Sequence, residues 1–411
     1  MHSPTLASAA SAHAPAALAR KPGIVQALLL LVTSSLSVLV TAILGPSLPA
    51  MQAEYASVPG ADFLVPLTMT APLLMMAGLC VLAGELADRV GRKRLLVGAA
   101  LLYAGVGTMP LWLGSLHAII VSRFCLGLLE AVLFTVSTVM IGDYFDGARR
   151  ERLMSLQTTV SATSAFLFNG LGGVIAEHGW RAPYAVFGVS LLLAPLMALC
   201  LWEPPGRAGM SSEQVRADSR GFRPVLLAFN CLLAGALGIM FLTVPVHFGF
   251  LHEAIGVKSP ARIGLAYALN SLGVVSGTLL FGWVLAPRLT VAAQLALGCV
   301  IAGAGFVLMR QAHDFGLLAC AGLLNGLGAG MLLPSLVTWN MRMLPLSRRG
   351  LGTGAFQSAF SFGMFVNPLL VVGLEHGLAV TRAEVIGLIG VAMLALAALA
   401  STQGLRAPKA A

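Results

Sequence analysis

Charge is what this 411-residue sequence has least of. Only 10% of its residues are Asp, Glu, Lys or Arg, against roughly 25% in an ordinary soluble domain. A chain this long cannot cover itself for water with so few charges. Composition therefore argues against a soluble enzyme, a nucleic-acid binder and a disordered chain. Acids are scarcer than bases, 16 against 25. The surplus does not point to nucleic acid, because Lys and Arg sit in short gaps between long apolar runs, where they orient a membrane protein. The six cysteines, Cys80, Cys125, Cys200, Cys231, Cys299 and Cys320, contain no C-x-x-C pair and all lie in apolar runs. They read as small helix residues rather than disulfides or metal ligands. No G-x-x-x-x-G-K-[ST] sequence occurs, so ATP drive is not supported. No metal-ligand spacing and no nucleophile–base arrangement stands out. Neither an enzyme activity nor a cofactor is expected.

What the chain does have is apolar length. Hydrophobic residues make up 58%, and glycine is abundant at 46 residues, which suits closely packed membrane helices. A span needs about 20 apolar residues to cross about 30 Å of hydrocarbon. Twelve segments qualify, at about 24–48, 63–84, 95–114, 118–142, 153–177, 183–202, 225–251, 262–286, 291–309, 315–339, 350–374 and 383–403. The first is expected to be an uncleaved span rather than a signal peptide, because no small-residue cleavage site follows it. With the N-terminus inside, the inner segments carry 19 of the 25 basic residues and the outer loops five: Arg181, Lys258, Arg262, Arg310 and Arg382. That split supports both the span count and cytoplasmic termini. The remaining one, Arg123, lies inside a span.

The expected organisation is a disordered cytoplasmic tail over 1–22, a six-helix bundle over 23–202, a cytoplasmic linker over 203–223 and a second six-helix bundle over 224–411. The halves share short sequences in the same order. Cys125-Leu126-Gly127-Leu128-Leu129-Glu130 matches Cys320-Ala321-Gly322-Leu323-Leu324-Asn325. Gln157, Asn169-Gly170 and Glu177-His178-Gly179 match Gln357, Asn367-Pro368 and Glu375-His376-Gly377. Such order suggests a duplicated six-helix unit. Parallel repeats of this kind are a transporter architecture, with substrate held near mid-membrane between the halves.

Between spans two and three the chain reads Gly84-Glu85-Leu86-Ala87-Asp88-Arg89-Val90-Gly91-Arg92-Lys93-Arg94. This resembles the signature G-x-L-a-D-r-x-G-r-k of the major facilitator superfamily, in the loop where that family carries it. The resemblance implies an all-α integral membrane protein with twelve transmembrane helices in two pseudo-symmetric six-helix bundles. It also implies that Gly84, Asp88, Arg89, Gly91 and Arg92 form a gating motif, with Asp88 latching the cytoplasmic side. Three fragments are similar to the drug/proton antiporter (multidrug efflux) branch. They are Gly45-Pro46-Ser47-Leu48-Pro49 at the end of span one, Arg123 in span four, and Asn169-Gly170-Leu171-Gly172-Gly173 in span five. The last is the tail of an antiporter motif G-P-x-x-G-G, with Asn169-Gly170 where Gly-Pro is expected.

Glu130 is the acid deepest in a predicted span. A charge there costs about 2.5–3.5 kcal/mol on insertion scales, and a protonated carboxyl costs much less. That is the requirement for a proton carrier. Arg123, seven residues earlier, is two turns away on the same helix face, about 10 Å along the axis. Their common face is expected to line a cavity, with proton coupling or recognition of substrate charge as its role; a buried pair fixing helix register is the other reading. Further cavity candidates are Ser37, Thr41, Gln157, His247, Asn270, Asn325 and Gln357. His178 and His376 are expected at an interface.

These readings favour proton-driven export of a small organic compound or drug, across a bacterial inner membrane, by alternating access. The partners implied are a small-molecule substrate, protons and the lipid bilayer, without nucleic acid or ATP, in a protein expected to be a monomer. An importer or facilitator of a small anionic metabolite, and a non-transporting receptor or assembly partner on the same fold, are the alternatives.

Overall fold

The computed structural model describes residues 22–204, 224–344 and 349–404. The expected tail over 1–22 and the linker over 203–223 fall almost wholly outside the described residues. Twelve long helical segments follow in order: α1 Ile24–Ile43, α2 Ala61–Val90, α3 Arg92–Thr108, α4 Leu116–Tyr144, α5 Gly147–Ala176, α6 Ser190–Cys200, α7 Pro224–Ala254, α8 Pro260–Leu280, α9 Val291–Gln311, α10 Phe315–Met343, α11 Arg349–Leu378 and α12 Arg382–Gly404. Eleven segments among the described residues are long and apolar enough to cross a membrane. The twelfth expected span coincides with α12. Large apolar side chains point outward from the helices, with Leu199, Val225 and Trp283 each 81% exposed. That surface suits hydrocarbon rather than water.

Two spans differ from a plain helix. The first breaks after Ile43, where Gly45–Ser47 forms one 3-10 turn and Leu48–Glu54 a short helix. Pro46 and Pro49 each remove a backbone donor there. The sixth begins as a 3-10 stretch over Ala182–Val189, with Pro183 near its start, before α6 proper. Other boundaries are set by caps. Ser259 precedes Pro260 at the start of α8 and accepts from the Arg262 amide, and Asp314 Oδ1 accepts from Leu317 N at 3.0 Å at the start of α10. These are N-cap bonds that satisfy otherwise orphaned donors.

The packing repeats after six helices. In the first bundle α1 packs on α5, α2 on α4, α3 on α4, and α3 on α6; in the second α7 packs on α11, α8 on α10, α9 on α10, and α9 on α12. The bundles meet through two pairs related by the same repeat, α5 with α8 and α11 with α2. One of the tightest seams is α8 against α10. A Cβ at Gly273, Gly277, Gly326 or Gly330 would lie 2.1–2.3 Å from a carbonyl oxygen of the facing helix. Only glycine permits that backbone approach.

Candidate functional site

Arg123 and Glu130 both lie on α4 and are fully buried. The Arg123 guanidinium sits at the C-terminal end of α3, where Nη2 donates to the carbonyls of Val106 (2.9 Å) and Gly107 (3.1 Å). Those oxygens belong to the last helical turn, which lacks intrahelical donors and carries the negative end of the dipole. Tyr184 and Phe187 cover the cation, with ring centroids 5.2 and 5.5 Å from Cζ, an arrangement strengthened by the loss of water. Nε contacts Ser122 Oγ at 3.3 Å. Nη1 is buried with no hydrogen-bond partner among the described residues.

Glu130 Oε1 lies 3.4 Å from the Tyr103 hydroxyl, which is 2.9 Å from the carbonyl of Leu36 on α1. A phenol has one proton to give. The shorter contact takes it, so the longer one becomes a hydrogen bond when Glu130 itself carries a proton and donates to the phenol oxygen. No ion pair holds Glu130 among the described residues. The expected cavity face is enclosed by the first bundle in this arrangement. The described partners of both residues all come from the first bundle, and aromatic rings, not a groove between bundles, surround Arg123. The cause is geometric, because α4 packs against α1, α2 and α3, which turns its charged face into the bundle.

The other cavity candidates are spread over the molecule. Ser37 and Thr41 are half-buried on α1 and bond the carbonyls of Ser34 and Val38 on their own helix. Gln157 donates to Thr138 Oγ1 at 2.8 Å, joining α5 to α4. Asn270 donates to Gly322 O at 2.8 Å between α8 and α10, and Asn325 to Ala302 O at 3.0 Å between α10 and α9. Gln357 reaches Ser361 on its own helix at 3.4 Å. His247 is the exception, because it belongs to a polar cluster. Its Nε2 lies 3.1 Å from Asn367 Oδ1, and Asn367 Nδ2 donates to Thr243 Oγ1 (2.9 Å) and to Ile239 O (2.8 Å). Residues at the closed boundary between the bundles were less visible in sequence. Asn169 Nδ2 donates to Ser271 Oγ at 2.9 Å, from α5 to α8.

The antiporter-like segment lies on this boundary. Asn169 is buried, and Gly170 faces Ala268 of α8. A Cβ on Gly172 would be 2.4 Å from Ile43 O, and one on Gly173 would be 2.7 Å from Gly264 Cα. Gly45 meets the Pro245 carbonyl and the Tyr267 ring in the same way. Tyr267 donates to Pro245 O at 3.0 Å and accepts from Gly249 N at 2.9 Å. All these contacts lie toward the ends of α1, α5 and α7 and the start of α8, which is one face of the molecule. On the opposite half of the molecule α4 with α10, and α5 with α11, make no comparable packing among the described residues. The bundles are shut at one face, and toward the other these helices lack such contacts among the described residues.

The segment expected to form a gating motif sits at that other end. Gly84 and Asp88 lie on α2, but their surroundings fall outside the described residues. Arg89 is exposed, 4.0 Å from Glu85 on its own helix. Gly91 has φ +100°, a conformation in which other residues are strained. The Glu203 carboxylate accepts from the backbone amides of Arg92 and Lys93, the latter at 3.1 Å. It therefore caps α3, and a Cβ on Gly91 would approach it at 3.1 Å. The Arg92 guanidinium pairs with Asp143 near the end of α4. Trp202 stacks on Tyr144 at 4.6 Å and exchanges backbone hydrogen bonds with its hydroxyl. Glu203 and Asp143 are the acids that sequence reasoning missed. Glu203 stood at the edge of the expected linker, and its pairing over 111 residues leaves no local signal.

The sequence matches the Major Facilitator Superfamily over residues 30–368, and the chain belongs to that family. Relatives are distant. A 4-hydroxybenzoate transporter of Pseudomonas putida is 32% identical over 33% of this chain and 30% of its own length. A chloramphenicol resistance protein of Pseudomonas aeruginosa is 25% identical over 58% of each chain. The chain thus spans less than two thirds of the length of these curated relatives. In overall fold, a bacterial homologue of the human lysosomal transporter Spinster, in an inward-facing and unoccupied conformation, superposes with a TM-score of 0.70. It is 14% identical and covers 92% of this chain and 96% of the other.

Proposed function

We propose that the protein is a proton-coupled secondary transporter that exports a small organic compound by alternating access. In this reading it works as a monomer in the bacterial inner membrane with both termini cytoplasmic. The end away from the closed face then faces the cytoplasm, where a substrate for export enters, and the two bundles rock about the α5–α8 and α11–α2 contacts to expose it on the other side. The observation that carries the reading is Glu130, a carboxyl at mid-span whose described partner is a phenol already committed to Leu36. A neutral carboxyl suits that site. A shift of the bundles that admits water or brings a cation closer favours its ionisation, so the proton taken up in one state is released in the other. An inside-negative potential contributes about 2.3 kcal/mol per charge per 100 mV to that exchange. Similarity to a chloramphenicol resistance protein makes chloramphenicol the first compound to try. In inverted membrane vesicles with an imposed pH gradient, adding compound should release protons in the wild type and not in Glu130→Gln. Release that is unchanged in the variant overturns the assignment.

Uptake of an aromatic carboxylate is the second reading, favoured by the identity with a 4-hydroxybenzoate transporter. It gives Arg123 the substrate charge to bind, through its unpartnered Nη1. Saturable 4-hydroxybenzoate uptake with a raised KM in Arg123→Lys supports it.

A further inference from the structure

The Glu-His-Gly sequence occurs twice, at the ends of α5 and α11, and each copy reaches across to the other bundle. Both copies stand at a helix C-terminus closed by a left-handed residue, Gly179 (φ +114°) in the first and Ala379 (φ +52°) in the second. In the first copy Glu177 Oε1 accepts from Ser259 Oγ at 2.6 Å and from Ala261 N at 2.9 Å. The carboxylate thus caps the N-terminus of α8, where the dipole and the free amides favour a negative charge. In the second copy His376 Nε2 lies 3.1 Å from Asp62 Oδ2. Asp62 occupies the first turn of α2, which is the repeat-related partner of α8. A cation at the end of α11 and an anion at the start of α2 each suit their own helix dipole as well as each other. One sequence motif has therefore become two unlike bolts on the same closed face.

We propose that Glu177 and His376 are gate residues of the transport cycle, holding the bundles together on this face, the first through a carboxylate and the second through a protonated imidazole. This rests on the alternating-access reading. The two bolts respond to pH in opposite ways. Ser259 and the Ala261 amide hold the Glu177 carboxyl below its ordinary value, so its contribution is complete above the usual carboxylate range and is lost as pH falls through the depressed value. His178 beside it lowers it further, and Arg262 in the first turn of α8 adds positive charge nearby. The His376–Asp62 pair needs the imidazolium. The contact is an ion pair only while the imidazole carries its proton, so it weakens when that proton is lost. On its own helix His376 adjoins Glu375, which is already paired with Arg382 of α12 at 3.1 Å; from α2 it faces Asp62. Where Glu177 stays ionised, a pH change acts only through the second bolt.

The test places nitroxide labels on Ser57→Cys and Ala254→Cys, one exposed site per bundle on this face, in the full chain without its native cysteines, reconstituted in phospholipid nanodiscs. Distances are read by pulsed electron resonance at about pH 5.5 and about pH 8. His376 is 69% exposed, and pairs of that kind are weak, so the ratio of short to long distances should fall about two- to fivefold on raising the pH. His376→Gln and Asp62→Asn should each remove that step. Glu177→Gln should lower the short fraction at both pH values and keep the step. No step in the wild type, an unchanged step in His376→Gln, or one unvarying distance overturns the proposal. Flux measured for the same variants in sealed proteoliposomes separates the two ideas. A pH step without transport leaves the gate standing and removes the transporter reading, whereas transport without a step does the reverse.

Discussion

Asn169 on α5 donates to Ser271 on α8 across 2.9 Å, and both side chains are buried. A polar bond is thus built into the boundary along which the two bundles meet, one turn from the glycines that bring the backbones together. Its strength is set by what replaces it when the bundles part. In water the bond is exchanged; in hydrocarbon it is lost. Asn169→Ala or Ser271→Ala should weaken the closed arrangement by about 0.5–1.5 kcal/mol. The double variant should cost less than the sum of the two. Label distances across the boundary, measured for all four proteins, check this; strict additivity would mean that the two side chains act separately.

Steric contact at the same boundary makes a sharper prediction. Valine at Gly173 cannot fit against Pro260 O of the second bundle, which a Cβ would approach at 2.6 Å. Gly173→Val should therefore hold the bundles apart on this face, with the labels at Ser57 and Ala254 shifting to the longer distance. Gly78→Val, where a Cβ meets nothing within 4 Å, is the matched control and should leave the distance distribution as it is.

The phenol between α1 and Glu130 can be tested by removing one atom. Tyr103→Phe leaves the Glu130 carboxyl without its phenol partner and takes the second donor from the helical Leu36 carbonyl, at a cost of about 1–3 kcal/mol. Proton-coupled flux should fall but persist, and its pH profile should move, whereas Glu130→Gln should abolish coupling. A pH profile that is identical in Tyr103→Phe and wild type would separate the phenol from the proton step.

Arg123 is tied to structure more than its position in the sequence suggested. Arg123→Ala removes a cation from two helix-end carbonyls and two aromatic faces, so the melting temperature in detergent should fall, by an amount corresponding to about 1–3 kcal/mol for buried acceptors left without their donor. Arg123→Lys should recover part of it, because an ammonium reaches one carbonyl without the planar fork.

At the opposite end, Glu203→Ala should uncap α3 and cost about 1 kcal/mol. Faster hydrogen exchange at the Arg92 and Lys93 amides, with the rest of α3 unchanged, is the expected signature.

The parts of this fold that depend on solvent were legible in sequence. Twelve apolar runs, their basic gaps and the duplicated motifs follow from what a bilayer permits, and they led to the two-bundle architecture. The breaks at Pro46 and Pro183 were marked by their prolines but not by hydropathy, which counts apolar length and ignores missing donors. What the sequence hid was direction. Glu130 and Arg123 were recognisable as expensive residues, yet which way α4 turns them is decided by Val106, Gly107 and the rings of Tyr184 and Phe187, none of which is close in sequence. Glu203 capping Arg92 and Glu177 capping Ala261 were hidden for the same reason. Helix caps supplied from a distant segment leave no periodicity. The repeated Glu-His-Gly was visible, but not that one copy acts through its acid and the other through its imidazole.

The glycine seam between α8 and α10 has a mechanical consequence. Where Gly273, Gly277, Gly326 and Gly330 bring backbone against backbone, these two helices cannot slide past one another without collision, so they form one beam. The start of that beam is held by Glu177 from the first bundle, and its far end carries the Thr278 hydroxyl bonded to Gly330 O at 3.0 Å. In the proposed cycle, a displacement at the closed face would be carried along this pair as a unit. The first bundle differs in what fills it, a polar and aromatic interior around the fully buried Arg123 and Tyr103.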